Sequence, residues 1–542
     1  MTPSMNCTFA DVYEAVAGAL PDAPAQIQGD RIITWRDFDR RANALAADLL
    51  DVVSGEQAKV AAYTYNCPEY LETYLAAFKA GLVPVNTNYR YGPDELTYLF
   101  DNADAEAVIF HASFTPVVEK IRDRLPGVRR WYLVANGSDE PDWAVPYESV
   151  VADGADRTIA PWGRSSDHIL MLYTGGTTGM PKGVMWPQSD LWDVLGSGGN
   201  AVLGIPAPKD LDDLAATVRP GVVTMPCCPL MHGTGQLMAL VTMAVGGTVC
   251  MLVNRHFDAD ELWRTAQDRK VSVAVIVGDA FARPMLVALD AAEAAGVTYD
   301  LSDLKVIISS GVMWSHDVKQ GLSRHVPGAL LVDSYGSSEA VGLGASVSTA
   351  GSAAETAKFQ LGERVHVFTE DGRRVEPGSD DTGFVAISGP LPVGYYKDEE
   401  KTARTFRTIE GVRYSVPGDY ATVDADGTLH LLGRGSVCIN TGGEKVFPEE
   451  VEEVLKQHPA VLDAVCVGVP DDRFGEAISA VVEARDPGEG VDATDVIAFV
   501  KEHLASYKAP RTVVVVDTIG RSPAGKVDYA GVRQVARDRL GV

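Results

Sequence analysis

Apolar positions along the chain switch between a helical and a strand period. RIITWRDFDRRANALAADLL carries helically spaced apolar residues behind Thr34, which suits an N-cap. KVAAYTYN is an apolar run of strand length, and CPEYLETYLAAFKAG returns to the helical period and stops at Gly81. EAVIF, RWYLVA, SVAVIVG, LKVIISS and ALLVDSYG read as further strands with helical patterns between them. This alternation predicts an α/β fold with layered, largely parallel sheets. After about Phe359 the pattern changes. KFQLGERVHVFTEDGRRVEPGSDDTGFVAISG and YATVDADGTLHLLG hold short β segments broken by Asp-Gly or Pro-Gly turns, a β-rich subdomain. VLDAVCVGVP, ISAVVEA, DVIAFVKEHLA and RTVVVVD then predict a small α+β unit. A boundary near Gly433 to Ser436 divides residues 1–433 from residues 434–542, and the second part is long enough to be its own domain.

Between Arg219 and Arg255 no acidic or basic residue occurs, apart from His232. Pro226, Pro229, Gly233, Gly235 and the Gly246-Gly247 pair break that stretch, so it is too short and too interrupted to span a bilayer. A buried helix, QLMALVTMAV, and a buried strand, TVCMLV, are expected instead.

Composition narrows the function. A net charge of -27 argues against a nucleic-acid partner, which would require a dense basic stripe. It leaves room for a polyphosphate ligand, which needs only a few cations and backbone amides. The seven cysteines form no CxxC pair and no Cys/His ligand spacing, as expected of reduced cysteines in a cytoplasmic protein. MTPSMNCTFADVYEAV shows no basic n-region and no apolar h-region, so no secretory signal is expected.

Candidate chemistry lies in four places. MLYTGGTTGMPKGVMW places Thr174, Gly175, Gly176, Thr177, Thr178, Gly179 and Lys182 behind a strand, the ingredients of a phosphate loop. Lys182 stands between Pro181 and Gly183, so the Walker spacing fails. DSYGSSEA offers Glu339 as a cation ligand and Tyr335 as a base-stacking ring, although a strand-to-helix turn with a capping Ser and a first-turn Glu explains it as well. Asp419 and Arg434 flank a hairpin, and Lys526 lies in a loop near the C-terminus. Each of these last two, alone, is also what a solvated surface looks like.

Taken together and in order, these segments resemble the adenylate-forming superfamily, which includes acyl-CoA synthetases, peptide adenylation domains and beetle luciferases. The resemblance runs from FKAGLVPVNTNYR to SPAGKV and includes YTGGTTGMPKGV, CPLMHGTG, SSGVMW, DSYGSSE, GPLPVGYYKDEEKTARTF, VPGDY and LLGRGSVCINTGGEKVFPEEVE. It implies a large N-terminal adenylation domain and a mobile C-terminal lid. It also implies two half-reactions: a carboxylate attacks Mg-ATP to give acyl-AMP and pyrophosphate, and then a thiol, usually that of CoA, takes the acyl group.

The resemblance assigns Lys526, Glu339 and Thr178 as the catalytic set, with Glu339 on Mg2+. Thr174, Gly175, Gly176, Thr177, Thr178, Gly179 and Lys182 would hold the phosphates, with Ser338 nearby. Ser310, Gly311, Val312, Asp333, Ser334, Tyr335 and Gly336 would enclose adenine, and Asp419 with Arg434 would hold the ribose. His232, Gly235, Gln236, Gly278 and Gly336 would border the acyl pocket, His232 either as a gate or as a satisfied core histidine. Ser436 would be the hinge, in place of the usual Asp or Lys, and Gly442 and Gly443 would line a CoA tunnel.

HGTGQLMALVTM has no carboxylate to pair with a substrate ammonium, which disfavours an amino acid. Small and apolar pocket candidates favour a large hydrophobic acid. The chain looks closest to actinobacterial fatty-acid or sterol-side-chain CoA ligases. Its expected partners are a small-molecule carboxylic acid, ATP and CoA, with room for a homodimer. An acyl-AMP ligase serving a carrier protein and a non-catalytic nucleotide-binding scaffold are the rival readings.

Overall fold

A computed structural model describes residues 5 and 7–542, except 138–139, 175–179, 313, 353, 442–443, 472–474, 487, 489 and 523–524; at 436, 440, 444–445 and 475 the backbone alone is described. Three sheets organise the chain. The first has eight strands, with Lys59–Tyr63 at its centre between Val83–Asn86 and Ala105–His111, all parallel. These strands are short apolar runs because helices cover both faces of the sheet. The antiparallel pair Ile169–Thr174 and Lys182–Pro187 continues this sheet, and the phosphate-loop segment connects the two strands.

The second sheet has fifteen strands. Its first part is parallel, with Val223–Pro226, Thr248–Met251, Val273–Ile276, Val306–Ser310 and Leu330–Ser337 side by side. From Ala340–Ser348 onward it is antiparallel, and this half is the β-rich region expected after Phe359. The uncharged stretch from 219 to 255 supplies the strand Val223–Pro226, the helix Gly233–Ala244 and the strand Thr248–Met251, all inside this layer. No described helix is long and apolar enough to cross a membrane.

The third sheet has five strands, all beyond Arg434, with Val461–Asp471 and Gly475–Ala484 as its long antiparallel pair. The helix Pro448–Gln457 packs its buried Val451, Val454 and Leu455 into this unit's own core. All seven cysteines are free, six of them buried.

One expectation is corrected. DSYGSSEA does not turn into a helix; Leu330–Ser337 pairs antiparallel with Ala340–Ser348 through Ser337↔Ala340. The following AVGLGASVS alternates small and branched residues and completes a hairpin. Glu339 therefore sits at a hairpin tip instead of in a helix's first turn.

Candidate active site

The site forms where the ends of two sheets meet the C-terminal unit. Asn86 joins the first two walls. Its Nδ2 donates to the carbonyls of Tyr173 at 2.9 Å and Met231 at 2.6 Å, and its Oδ1 accepts from Tyr173 N at 2.6 Å. One buried amide thus fixes the strand entering the phosphate loop against the CPLMHGTG segment. Thr174 ends that strand opposite Lys182. Lys182 forms an ion pair with Asp398. Gly175, Gly176, Thr177, Thr178 and Gly179 lie outside the described residues, as do Gly442 and Gly443.

Glu339 is held from several sides. Tyr395 donates its hydroxyl to Glu339 Oε1 at 2.5 Å, Ser415 Oγ donates to the Glu339 carbonyl at 2.7 Å, and Trp186 Nε1 donates to the Ser338 carbonyl at 2.8 Å. Burial and the neighbouring Glu339 carboxylate push the Tyr395 phenol far up, so it stays a donor. Burial lowers the Lys401 ammonium, against the attraction of Glu339.

Asp419 and Arg434 face each other across an antiparallel register, with Nε to Oδ1 at 3.3 Å. Tyr335 donates to the other Asp419 oxygen at 3.0 Å, and its ring packs on Phe359 at 5.2 Å between centroids. Tyr335 is only 8% exposed, so little of its face is open to a base. Asp333 is buried and lies 3.8 Å from Lys319 Nζ. Burial raises its carboxyl to about 7, against the pull of Lys319. Ser334 and Gly336 follow it on the same strand, and Ser310 pairs with Ser334 on the neighbouring one.

Four acyl-pocket candidates make close packing contacts or hydrogen bonds. A Cβ on Gly235 would lie 2.9 Å from the Pro229 carbonyl, so its small size lets the helix approach that loop. Gln236 is fully buried and accepts from Tyr70 Oη at 3.2 Å. Gly278 takes φ +51 and donates its N–H to Ser309 Oγ at 2.8 Å. A Cβ on Gly336 would lie 3.1 Å from the Ala340 carbonyl, a tight fit within the hairpin.

His232 is half-buried at the N-cap of the helix Gly233–Ala244. Burial, then the charges of Lys526 and Arg90, lower its pKa to about 3. The imidazole is therefore neutral at physiological pH.

Lys526 arrives from the C-terminal unit. Arg521 grips Asp463 at 2.5 and 2.9 Å, and Ser522 N donates to the Lys526 carbonyl at 2.8 Å, which shapes the loop. A Cβ on Gly525 would lie 3.1 Å from Ala280 Cβ and 3.3 Å from Val312 Cγ2, so the loop is docked on the N-terminal part. Lys526 as a residue is exposed. The surrounding protein and then Arg434 still lower its pKa, and Glu339 opposes them. Lys526 thus feels the charges of Arg434 and Glu339, and His232 feels that of Lys526, although the four come from distant parts of the sequence. Ser436 lies in a short 3-10 turn, Gly435–Val437, directly after the Arg434 strand.

The model of the AMP-binding enzyme family matches residues 13–396, and that of the AMP-binding enzyme C-terminal domain matches residues 450–526. This chain belongs to the AMP-binding enzyme family. A 3-oxocholest-4-en-26-oate–CoA ligase of Rhodococcus rhodochrous is 42% identical, over 99% of this chain and 97% of the relative. A medium/long-chain-fatty-acid–CoA/3-oxocholest-4-en-26-oate–CoA ligase of Mycolicibacterium smegmatis is 40% identical, over 99% and 97%. Among solved structures, the ATP-bound MatB of Rhodopseudomonas palustris matches with a TM-score of 0.80 at 25% identity, covering 99% of this chain and 100% of that one. The anthranilate CoA ligase AuaEII with anthranoyl-AMP shares the fold, with a TM-score of 0.83 at 20% identity, covering 99% of each chain.

The sequence reading left several site contacts unassigned within this AMP-binding enzyme. Asp398 and Tyr395, which grip Lys182 and Glu339, lie in the GYYKDEEKT block, which was noted as shared but given no role. Asn86 and Lys319 carry no sequence signal either, because a single buried polar residue forms no motif.

Proposed function

We propose that this AMP-forming acid–thiol ligase activates a large hydrophobic carboxylic acid, a medium- or long-chain fatty acid or a steroid side-chain acid, and passes it to CoA. ATP and CoA are its co-substrates. Two observations support the choice of acid: relatives named for such acids, alike over nearly the whole chain, and an acyl-motif helix, Gly233–Ala244, without a charged residue.

The observation that carries the reading is the docked Lys526. A carboxylate attacking the α-phosphorus of ATP brings two anions together, so a cation must stand at the meeting point. Lys526 would supply that cation: its ammonium feels the charges of Arg434 and Glu339, and His232 feels the charge of Lys526. Asp419 would accept the ribose hydroxyls, with Arg434 orienting its carboxylate. Lys182 and Thr174 would hold the departing pyrophosphate. His232, neutral and between Lys526 and the acyl-motif helix, would separate the acyl from the nucleotide pocket without adding charge.

Mg2+ fits the donor chemistry. Glu339 presents a hard carboxylate beside the proposed phosphate site, and Mg2+ characteristically takes one or two carboxylates and completes its shell with phosphates and water. When bound, the ion would neutralise phosphate charge. Residues 1–433 would form the adenylation body and residues 434–542 a lid pivoting at Ser436, with Gly442 and Gly443 on the path of the CoA arm.

The test is incubation with ATP, Mg2+ and a panel of acids from medium-chain fatty acids to 3-oxocholest-4-en-26-oate, with and without CoA. AMP and thioester with the hydrophobic acids support the reading. Adenylate without thioester would assign an acyl-AMP ligase, and no AMP with any acid would contradict an enzyme of this kind.

A further inference from the structure

The segment from Gly394 to Thr402 touches both flanks of the proposed triphosphate site, and its own backbone is fixed. Val393 N donates to the Met185 carbonyl and Tyr396 N to the Gly183 carbonyl, each at 2.8 Å, which pairs the segment with the strand leaving the phosphate loop. A Cβ on Gly394 would lie 2.5 Å from Thr402 Cγ2, so only glycine allows this approach. Thr402 Oγ1 accepts from Tyr395 N at 2.9 Å and donates to the Asp398 carbonyl at 2.7 Å. On the outer side, Tyr396 Oη and Lys397 Nζ each reach Asp104 at 2.7 Å. Inward, the segment offers Asp398 to Lys182 and Tyr395 to Glu339.

We propose that Tyr395 is a positioning residue that aims the Glu339 carboxylate at the metal–pyrophosphate complex. This rests on reading Glu339 as the metal ligand. Glu339 sits at a hairpin tip, where neither a helix face nor sheet neighbours restrict its side chain. Ordering a free glutamate side chain costs up to about 2 kcal/mol. Ser415 and Trp186 fix the backbone of the tip, whereas Tyr395 acts on the carboxylate itself. Its hydrogen bond occupies Oε1, and among the described residues none donates to Oε2, the oxygen proposed to take the ligand. Tyr395 is itself rigid: it is 4% exposed, Lys401 Nζ lies 4.3 Å over its ring, and Phe406 packs at 6.0 Å. Partners that orient a ligating carboxylate are typically worth about 10- to 100-fold in metal affinity.

Tyr395→Phe keeps the ring and removes the donor. Mn2+ affinity, read by electron paramagnetic resonance in the presence of a non-hydrolysable ATP analogue, should fall at least about 10-fold. The Mg2+ activation constant for AMP formation should rise by the same factor, and conversion of supplied acyl-AMP to thioester should not change. In a Glu339→Gln background the same substitution should add no further loss. Unchanged Mn2+ affinity, equal loss of both half-reactions, or full additivity with Glu339→Gln would each overturn the assignment. A wild-type protein that formed no AMP would contradict the ligase reading instead, and the Mn2+ titration would still decide the role of Tyr395.

Discussion

Alanine at Gly433 tests how the lid is seated. Gly433 has φ +122, and a Cβ there would lie 2.1 Å from Glu449 Oε2 and 2.5 Å from Glu449 Cδ. Glu449 is the second residue of the lid helix Pro448–Gln457, and its Oε2 is buried without a hydrogen-bond partner. A non-glycine residue held in such a backbone region costs about 1–3 kcal/mol before the collision is counted. At 1.4 kcal/mol per decade, this shifts the docked lid by about 5- to 150-fold. The account therefore expects Gly433→Ala to slow adenylation, measured by ATP–pyrophosphate exchange, at least about 5-fold. Thioester formation from supplied acyl-AMP should suffer less, because it does not need Lys526 at the α-phosphorus. Gly427 is the control: it has φ +85 with nothing within 4 Å, so Gly427→Ala carries backbone strain alone, away from the lid. ATP–pyrophosphate exchange within twofold of wild type in Gly433→Ala, or an equal loss in Gly427→Ala, would refute the reasoning.

Further expectations concern charge. Lys526→Ala should lower adenylation about 100- to 1,000-fold, the scale of losing one preorganised donor, while supplied acyl-AMP is still converted; equal loss of both steps would contradict its role. Asp398→Asn keeps a good N-cap but frees Lys182 from its internal carboxylate, so isothermal titration should show tighter ATP binding; weaker binding would refute the idea that Asp398 competes with phosphate. Burial, with Glu452 adding repulsion, raises Glu449 to about 8 in the docked lid. An exposed glutamate titrates near 4.3, so the docked state binds the extra proton, is favoured at lower pH and loses that advantage as pH rises through 8. Hinge cleavage by trypsin should accelerate between about pH 6 and 8 and level off above 8, relative to an unfolded substrate, and Glu449→Gln should remove the change; a pH-independent ratio in the wild type would count against it.

Much of the architecture was legible because period and length carry it. The short apolar strands and the Thr34-capped helix appear where the pattern placed them, and the long uncharged stretch folds into strand, helix and strand. Local turn chemistry misled at DSYGSSEA, where Ser and Glu suit a helix start, but pairing of AVGLGASVS with Leu330–Ser337 prevails. Glycines were legible as small but not for what they approach. Gly235 also admits the Pro229 carbonyl, which no local spacing announces. Cross-chain pairs were the least visible. Asp398 lies 216 residues from Lys182 and Tyr395 lies 56 from Glu339, and no local spacing announces either contact. The roles proposed for Lys526, Glu339, Arg434 and His232 rest on the order of family motifs, because no local spacing links them.

The most direct measurement follows AMP, pyrophosphate and thioester together by mass spectrometry, with ATP, Mg2+, CoA and either a long-chain fatty acid or 3-oxocholest-4-en-26-oate. The account predicts AMP and acyl-CoA in equal amounts, with acyl-AMP accumulating when CoA is withheld. ADP in place of AMP, or no nucleotide turnover with either acid, would contradict it.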